Sequence, residues 1–375
     1  MSGIDHILLY LLLYASCFVV DYSYRNNQYR IAKIAAIVVV VVYVFTEGFR
    51  YGRGVDWFGY GPLYINSWET EQPVFDALNS LLLSVDISTR DVLPYGMCFV
   101  GYAVIFISAL QILYRGFVRD TKCFLLFGCL ATLYMTEWTI RQGVSMSFFL
   151  PAILFLENKK YAYAVAAILL SVFTHFGNSA SVAIVVTCFL LFNKKPFPIQ
   201  WTIPLYLILQ FSVDNLYPYL EKYIVLLDLS SLGGNFQSYI DHASMNFSAD
   251  ATMDEWKRGL FTQVLTTSFY IGLFIIGYFY HLKDAKWVFV YNAFVIGITI
   301  VEPFHLLGNV TRVFLMDSIL WFIPLSLAMC DKRLLHMNLL LKISYTLVFV
   351  YIVMYWGRFV FMNSSAKFVW DVISL

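Results

Sequence analysis

Charged residues are scarce in this chain: of its 375 residues, only 13% are Asp, Glu, Lys or Arg, and 60% are hydrophobic. Soluble domains average about 25% charged and about 45–50% apolar residues. A soluble enzyme is therefore excluded, and an integral membrane protein is predicted. The formal net charge of +1 argues against nucleic acid as a partner, because domains that bind nucleic acid carry strongly basic surfaces.

Motifs of cofactor, metal and nucleotide chemistry are also missing. The sequence contains no Walker A loop and no GxGxxG, HExxH, CxxC, GxSxG or DxD motif. The six cysteines lie in or beside apolar runs without metal-ligand spacing, which is typical of small buried side chains. We therefore expect no cofactor, no metal and no ATP-driven pump. The N-terminus also lacks the basic segment and cleavage site of a removable signal peptide.

The chain has instead a series of apolar segments of membrane-spanning length. They lie near residues 4–20, 30–46, 94–114, 121–137, 141–156, 161–175, 178–192, 197–213, 260–281, 286–303, 309–329 and 334–356. Their length and order predict an all-α integral membrane protein with about twelve transmembrane helices. We expect a single polytopic membrane domain over residues 1–375.

Two stretches are too long for one crossing. Residues 122–157 and 158–193 would each form a helix of about 50 Å, whereas the hydrocarbon core is about 30 Å thick. The polar places to turn are TEWTIRQG at 136–143 and THFGNSA at 174–180. We therefore predict a helix break in each of these two segments.

Basic residues fall unevenly on the two sides of the predicted helices. Most of the 25 Lys and Arg residues lie in one set of short loops, among them Lys33, Arg115, Lys194 and Lys195. The positive-inside rule places these loops in the cytoplasm. Two sizeable loops, 47–93 and 214–259, and both termini are then expected on the periplasmic side, where Arg outnumbers Lys.

Four polar segments collect on this predicted outer face: FRYGRGVD (49–56), EWTIRQG (137–143), THFGN (174–178) and EPFHLLGNVTR (302–312). Each places an ionisable residue at a helix end or tight turn. Ionisable groups at membrane depth usually face a protein interior or an aqueous cavity. Arginine offers a rigid fork of donors that matches phosphate or carboxylate geometry, so these segments form the candidate site.

Each candidate also has a structural interpretation. The early arginines could anchor a helix end at lipid headgroups. Arg141 could form an ion pair with Glu137 one turn earlier. His175 could be a hydrogen-bonded interfacial histidine, and Arg312 could simply end a helix.

Aromatic residues are frequent in the two long loops, among them Trp57, Tyr60, Tyr239 and Trp256. Belts of Trp and Tyr are common at membrane interfaces. These residues, however, lie far from the segment ends, beside Asn, Ser, Asp and Gln. Flat amphipathic rings in such surroundings can recognise a hydroxyl-rich ligand, and a glycan is the ligand that this composition suggests.

The segment FRYGRGVDWFGY (49–60) resembles the early motif of the EpsG-like, Wzy-type bacterial polysaccharide polymerases. IRQG (140–143), HFGN (175–178) and GNVTR (308–312) are similar to later motifs of that family, in the same order. The resemblance implies a GT-C-like glycosyltransferase of the bacterial inner membrane, acting in O-antigen or exopolysaccharide biosynthesis. It would transfer a growing glycan from undecaprenyl diphosphate onto the non-reducing end of a lipid-linked repeat unit, without a metal.

The resemblance and the chemistry of this reaction assign roles to the candidate residues. The diphosphate is expected to be bound by four arginines, namely Arg50, Arg53, Arg141 and Arg312. The alternative candidates for the catalytic base are His175, Asp56 and Glu137. Glycan contacts are expected from Trp57, Tyr60, Tyr239 and Trp256. The expected partners are the undecaprenyl-diphosphate-linked oligosaccharide, membrane lipid and a chain-length regulator protein.

Three other functions remain open on the sequence. An O-antigen ligase would use the same chemistry but would pass the finished glycan to a different lipid. A flippase or transporter of a lipid-linked oligosaccharide would place binding groups near mid-depth on broken helices, where these segments carry almost no charge. A membrane acyltransferase would need a cytoplasmic acyl-donor site, which the sequence does not indicate.

Overall fold

The structure, a computed structural model, describes residues 2–51, 70, 72–85, 96–118, 120–225, 259–305, 312–331, 338–362 and 367–368. Its α-helices are α1 Ser2–Arg25, α2 Tyr29–Tyr43, α3 Pro73–Val85, α4 Gly96–Arg115, α5 Phe124–Trp138, α6 Ile140–Glu157, α7 Tyr161–Thr174, α8 Ser179–Leu191, α9 Ile199–Val225, α10 Leu260–His281, α11 Val288–Val301, α12 Leu315–Ser318, α13 Phe322–Ala328 and α14 Leu339–Met362. A π-helix, Val44–Gly48, extends α2, and 3-10 turns lie at Phe176–Asn178 and Ile319–Trp321.

Each apolar segment predicted from the sequence contains helical structure within its described residues. Within the described ranges, five helices are long and apolar enough to cross a membrane: Ile4–Arg25, Tyr29–Gly48, Cys98–Arg115, Ile140–Glu157 and Leu260–His281. Six shorter apolar stretches of 10–17 residues are also helical: Phe124–Leu133, Tyr161–Thr174, Phe176–Leu191, Val288–Val301, Leu315–Ala328 and Leu339–Tyr355. A helical, multi-pass membrane protein is thereby confirmed. The count of about twelve crossings, the GT-C-like arrangement and the sidedness stay predictions.

Both predicted helix breaks are confirmed. Thr139 separates α5 from α6 with φ −136° and ψ 64°, which is not a helical conformation. His175 follows α7 in an extended conformation, φ −156° and ψ 102°, and the 3-10 turn leads from it into α8. The chain breaks at these places because a single helix would be longer than the apolar layer that it has to cross.

Helix α3 was not expected within the long loop 47–93. Its apolar residues Phe75, Leu78 and Leu82 recur at helical spacing and pack into a small cluster with α4 and α6. The hydroxyl of Tyr102 in α4 donates to the Asn79 side-chain oxygen, which also fastens α3. At 13 residues the helix is too short for a search based on membrane-spanning runs to detect.

The centre of the bundle is occupied by α11, in which the residues from Val288 to Val295 are all buried. A helix that is apolar on every side is expected in the interior of a large bundle. Exposed large hydrophobic residues concentrate instead on outer helices, for example Trp201 and Phe211 on α9 and Val353 on α14. These faces are the surfaces that the bilayer would cover.

One short ladder adds β-structure to the helical fold. Strand β1, Arg50–Tyr51, pairs antiparallel with β2, Lys367–Phe368, so that Arg50 lies opposite Phe368. The early polar motif is thus joined to a segment that follows the last helix. All six cysteines are free thiols, in agreement with their interpretation as small apolar side chains.

Candidate active site

The first turn of α6 is the centre of the candidate site. Arg141 lies in this turn, directly after the break at Thr139. The backbone nitrogen of Gly143 donates to the Thr139 oxygen at 2.9 Å, which closes the turn. The N–H groups at a helix start carry a partial positive charge, and Arg141 adds a full one. The start of α6 and the Arg141 guanidinium group thus both contribute positive charge here.

His175 lies at the break between α7 and the 3-10 turn. The backbone nitrogen of Asn178 donates to the His175 oxygen at 3.0 Å and holds the turn closed. A methyl group added at Gly177 would lie 2.9 Å from His175 Nε2, closer than real contacts allow. Glycine at position 177 is thus needed for the imidazole ring to rest against the turn.

Gln72, just before α3, joins these two segments. With the side-chain amide oriented to satisfy its hydrogen-bond partners, its nitrogen lies 2.6 Å from the Thr174 backbone oxygen and 3.2 Å from His175 Nδ1, and its oxygen lies 3.2 Å from Arg141 Nη1. This amide orientation gives every group a suitable partner, since the nitrogen donates to Thr174 and His175 and the oxygen accepts from Arg141. In this arrangement Nδ1 of His175 accepts, so the proton of the neutral ring is on Nε2.

Asp76 fixes the conformation that presents Gln72. Its carboxylate accepts hydrogen bonds from the Thr70 backbone nitrogen at 3.1 Å, from the Thr70 hydroxyl at 2.7 Å and from the Gln72 backbone nitrogen at 3.2 Å. Carboxylates at a helix start satisfy N–H groups that have no intrahelical partner. Phe75 anchors α3 in the small apolar cluster. The position of Gln72 is therefore fixed both by the packing of α3 and by the hydrogen bond from its backbone to Asp76.

A buried chain of neutral polar groups connects α6 to the segment that carries Arg312. Gln142 Nε2 donates to the backbone oxygen of Arg312 at 2.7 Å. The same nitrogen also donates to Asn178 Oδ1, at 3.4 Å. Asn178 donates in turn to the Ser145 hydroxyl at 2.7 Å, which bonds to Ser171 of α7. These bonds hold the backbone of Arg312 near the turn of His175, while its side chain remains exposed.

Arg141 and Arg312 both act electrostatically on His175. Burial, and next the positive charges of Arg141 and Arg312, lower the pKa of His175 to about 3. The imidazole is therefore neutral at physiological pH. Two guanidinium groups from distant parts of the chain thus lie close enough to one histidine to disfavour its charge.

Two buried polar atoms at the start of α6 have no hydrogen-bond partner within the described part of the chain. They are the Thr139 hydroxyl oxygen and Gln142 Oε1, in residues that are 6% and 3% exposed. Buried polar groups are almost always paired in native proteins. Within the described residues, these two acceptors, three positions apart in the chain, are therefore unsatisfied.

Arg50 has different surroundings. Its Nη1 lies 3.2 Å from Glu47 Oε2, and its guanidinium group lies 5.2 Å from the centre of the Phe99 ring. The Tyr10 hydroxyl donates to the other Glu47 oxygen at 2.6 Å. Glu47 belongs to the π-helix that extends α2, and insertions of this kind are frequent at functional sites.

The Arg50 ion pair adjoins the same helix start as Arg141. Ile140, Gly143 and Val144 of α6 line a small cavity together with Glu47 and Arg50. Both members of the ion pair are 2% exposed. The first turn of α6 therefore lies between a buried, charge-balanced pair and the cluster of Gln72, Arg141, His175 and Arg312, called here the His175 cluster.

The predicted site residues divide into three groups. Arg141, His175 and Arg312 are brought together, and Arg50 lies beside the same helix start in its own ion pair. Glu137 lies in the last turn of α5, but its side chain is outside the described part of the structure. Outside the described residues lie Arg53, Asp56, Trp57, Tyr60, Tyr239 and Trp256.

Sequence reasoning missed Gln72, Gln142 and Asn178. All three are neutral amides, and Gln72 is separated from His175 by 103 residues. No motif or charge pattern marks them. The signal that could have found Gln142 and Asn178 is their position inside IRQG and HFGN, where each adjoins a predicted site residue.

The sequence profile of the EpsG family matches residues 33–369, nearly the whole chain. The chain belongs to the EpsG family. The resemblance seen in the short motifs is thereby confirmed. No curated protein and no solved structure gives a significant match. Membership of the EpsG family identifies a polysaccharide polymerase-type membrane protein.

The EpsG match contains every residue of the His175 cluster and ends just after β2. Both strands of the short ladder therefore lie inside it. All of α1 precedes the match, yet α1 supplies the Tyr10 hydroxyl to Glu47. The ion pair of Arg50 is thus completed by a helix outside the matched region.

Proposed function

We propose that this EpsG-family protein is a glycosyltransferase that polymerises lipid-linked repeat units at the His175 cluster. The growing glycan would be transferred from undecaprenyl diphosphate onto the non-reducing end of a new lipid-linked unit. The observation that carries the proposal is the convergence of Arg141, in the first turn of α6, and Arg312 on the half-buried, neutral His175. The proposed setting is the bacterial inner membrane, with the site and both termini on the periplasmic side.

The leaving group explains why two guanidinium groups are needed. When the bond between the anomeric carbon and the diphosphate oxygen breaks, its electron pair goes to that oxygen and negative charge grows there. Preorganised donors aimed at this position stabilise the charge in the transition state. Arg141 and Arg312 would supply forked, charge-assisted hydrogen bonds, and the start of α6 would add its partial positive charge.

The attacking group is a hydroxyl of the acceptor sugar. Its oxygen forms the new bond to the anomeric carbon, and its proton passes to a base. His175, Asp56 and Glu137 remain the candidates. His175 is a weak base while its pKa is about 3. Burial is the largest cause of this low pKa and would remain with a substrate bound; a bound diphosphate would offset the charges of Arg141 and Arg312, which would raise the pKa in part.

Neutral polar groups are suited to position the acceptor. The Thr139 hydroxyl oxygen and Gln142 Oε1 are buried acceptors without a described partner, and a sugar hydroxyl could donate to either. A site that hydrogen-bonds a substrate hydroxyl discriminates strongly against analogues that lack it. These two atoms would therefore contribute to acceptor choice.

The proposal is tested by incubating the purified protein with synthetic undecaprenyl diphosphate repeat units, without nucleotide or metal. A polymerase produces a ladder of products that differ by one repeat unit. The double variant Arg141→Gln/Arg312→Gln is expected to abolish the ladder, and Lys194→Gln/Lys195→Gln, which also removes two charges, to retain it. A single capped product would indicate a ligase, and an unchanged substrate pool with wild-type protein would refute the proposal.

A further inference from the structure

A large cavity lies at the end of α2 that is remote from Glu47. It measures about 920 Å³, is open on one side, and is lined by residues of α1, α2, α4 and the start of α5. Helix α2 and its π-helical extension comprise 20 residues, which corresponds to about 30 Å. The cavity and the candidate active site therefore lie at opposite ends of a membrane-length helix.

The lining of this cavity changes from polar to apolar along α2. Tyr29 and Lys33 line the end where α2 begins, and Ile37 and Val40 line the part further along. Tyr29 and Val40 are separated by about 16 Å at the helical rise of 1.5 Å per residue. This change from a polar to an apolar lining matches the structure of a lipid. The headgroup would lie at the end where α2 begins, and the acyl chains would extend toward the bilayer centre.

The polar part of the cavity favours an anion. Lys33 of α2 and Arg115 at the end of α4 both line it and are both exposed. Asp120 also lines the cavity. Its Oδ2 lies 4.0 Å from Lys286 Nζ, and the charge of this lysine offsets the negative charge of Asp120. Basic pockets between transmembrane helices are the usual binding sites of anionic headgroups.

We propose that this cavity binds a membrane glycerophospholipid with an anionic headgroup. The phosphate would lie between Lys33 and Arg115, and the proximal acyl chains would follow Ile37 and Val40. Ligand cavities usually measure about 300–1,000 Å³, so the volume of about 920 Å³ suits a headgroup with the first part of its chains. The inference concerns the opposite end of the molecule from the His175 cluster and does not depend on the proposed function.

The test is native mass spectrometry of the detergent-solubilised protein, titrated with phosphatidylglycerol or with phosphatidylcholine of the same acyl chains. The anionic lipid is expected to bind the wild-type protein at least tenfold more tightly. Each basic side chain contributes about fivefold near an anionic headgroup. The double variant Lys33→Gln/Arg115→Gln should therefore bind phosphatidylglycerol roughly thirtyfold more weakly.

Matched variants separate a site from a general charge effect. Lys194→Gln/Lys195→Gln removes two exposed lysines that do not line the cavity, and it is expected to bind as the wild type does. The charge-conserving pair Lys33→Arg/Arg115→Lys should also retain binding. If the double glutamine variant cannot be purified, Arg115→Gln alone should show about a fivefold loss.

Three results would overturn the inference. They are equal binding of both phospholipids, equal loss in the Lys194→Gln/Lys195→Gln control, and unchanged binding by Lys33→Gln/Arg115→Gln. Soluble glycerophosphoglycerol distinguishes a lipid site from a site for free phosphate esters. It is expected not to displace the lipid because it lacks acyl chains for the apolar wall; displacement at equal concentration would contradict the assignment.

Discussion

Arg50 and Arg141 adjoin the same turn of α6, yet they occupy opposite electrostatic environments. The charge of Arg50 is balanced by Glu47 at 3.2 Å, and both side chains are buried. Arg141 acts together with Arg312 on His175, and together they disfavour a positive charge on its ring. The difference shows that arginine can serve two purposes at one helix start. Arg50 pairs with Glu47 inside the fold, whereas Arg141 is proposed to bind an anion.

The largest expected effect is a loss of stability when the buried ion pair of Glu47 and Arg50 is broken. Glu47→Gln should lower the free energy of unfolding by about 3–5 kcal/mol, because it removes the carboxylate that lies 3.2 Å from the buried Arg50 guanidinium group. The melting temperature in detergent reports this loss. The double variant Glu47→Gln/Arg50→Gln should recover most of the stability. Lys286→Gln is the control, since it breaks an exposed pair worth at most about 1 kcal/mol.

The second prediction concerns Arg141 and Arg312, the two arginines that are proposed to bind the diphosphate. Arg141→Lys and Arg312→Lys should each lower the polymerisation rate by about 100-fold, because a lysine cannot reproduce the forked donors of arginine. The melting temperature should stay within a few degrees of the wild-type value. Arg30→Lys provides the same substitution at an exposed position near the start of α2 and should be neutral. Normal rates in both site variants would show that Arg141 and Arg312 do not contact the diphosphate.

A smaller effect is expected from moving the histidine ring without removing it. Gly177→Ala places a methyl group 2.9 Å from His175 Nε2, so the ring must shift. A displacement of this size should reduce turnover by roughly tenfold to 100-fold. Gly357→Ala is the matched control, because nothing lies within 4 Å of a methyl group there. Equal activity of the two variants would remove His175 from the reaction.

The smallest effect is a change in pH dependence. His175 is neutral in the folded protein down to a pKa of about 3, whereas in the unfolded chain it takes up a proton near pH 6.5. Between these values the unfolded state binds more protons, so this group makes stability fall as the pH falls through that window. Arg312→Gln should raise the His175 pKa, as followed by NMR of the imidazole, and should flatten this dependence. An unchanged pKa would place Arg312 too far from the ring to act on it.

The positions of the charged residues could be predicted because membrane thickness constrains them. A 35-residue apolar stretch has to break, and the polar residues at 136–143 and 174–180 gave the places. Arg141 and His175 follow from those breaks, and Arg312 follows from the start of a later segment. Gln72 could not be found in this way, since its contacts with His175 and Arg141 depend on how α3 packs. That packing rests on Phe75, Asn79 and Asp76, in a loop without a membrane-spanning signal.

The strand pairing between Arg50 and Phe368 has a consequence for biosynthesis. Because the chain is synthesised from its N-terminus, Arg50 and Tyr51 are made long before Lys367 and Phe368, with which they pair. The ladder can therefore form only after the ribosome has added helices α3 to α14. Pairing of these two residues is thus a late step in the assembly of the helical bundle.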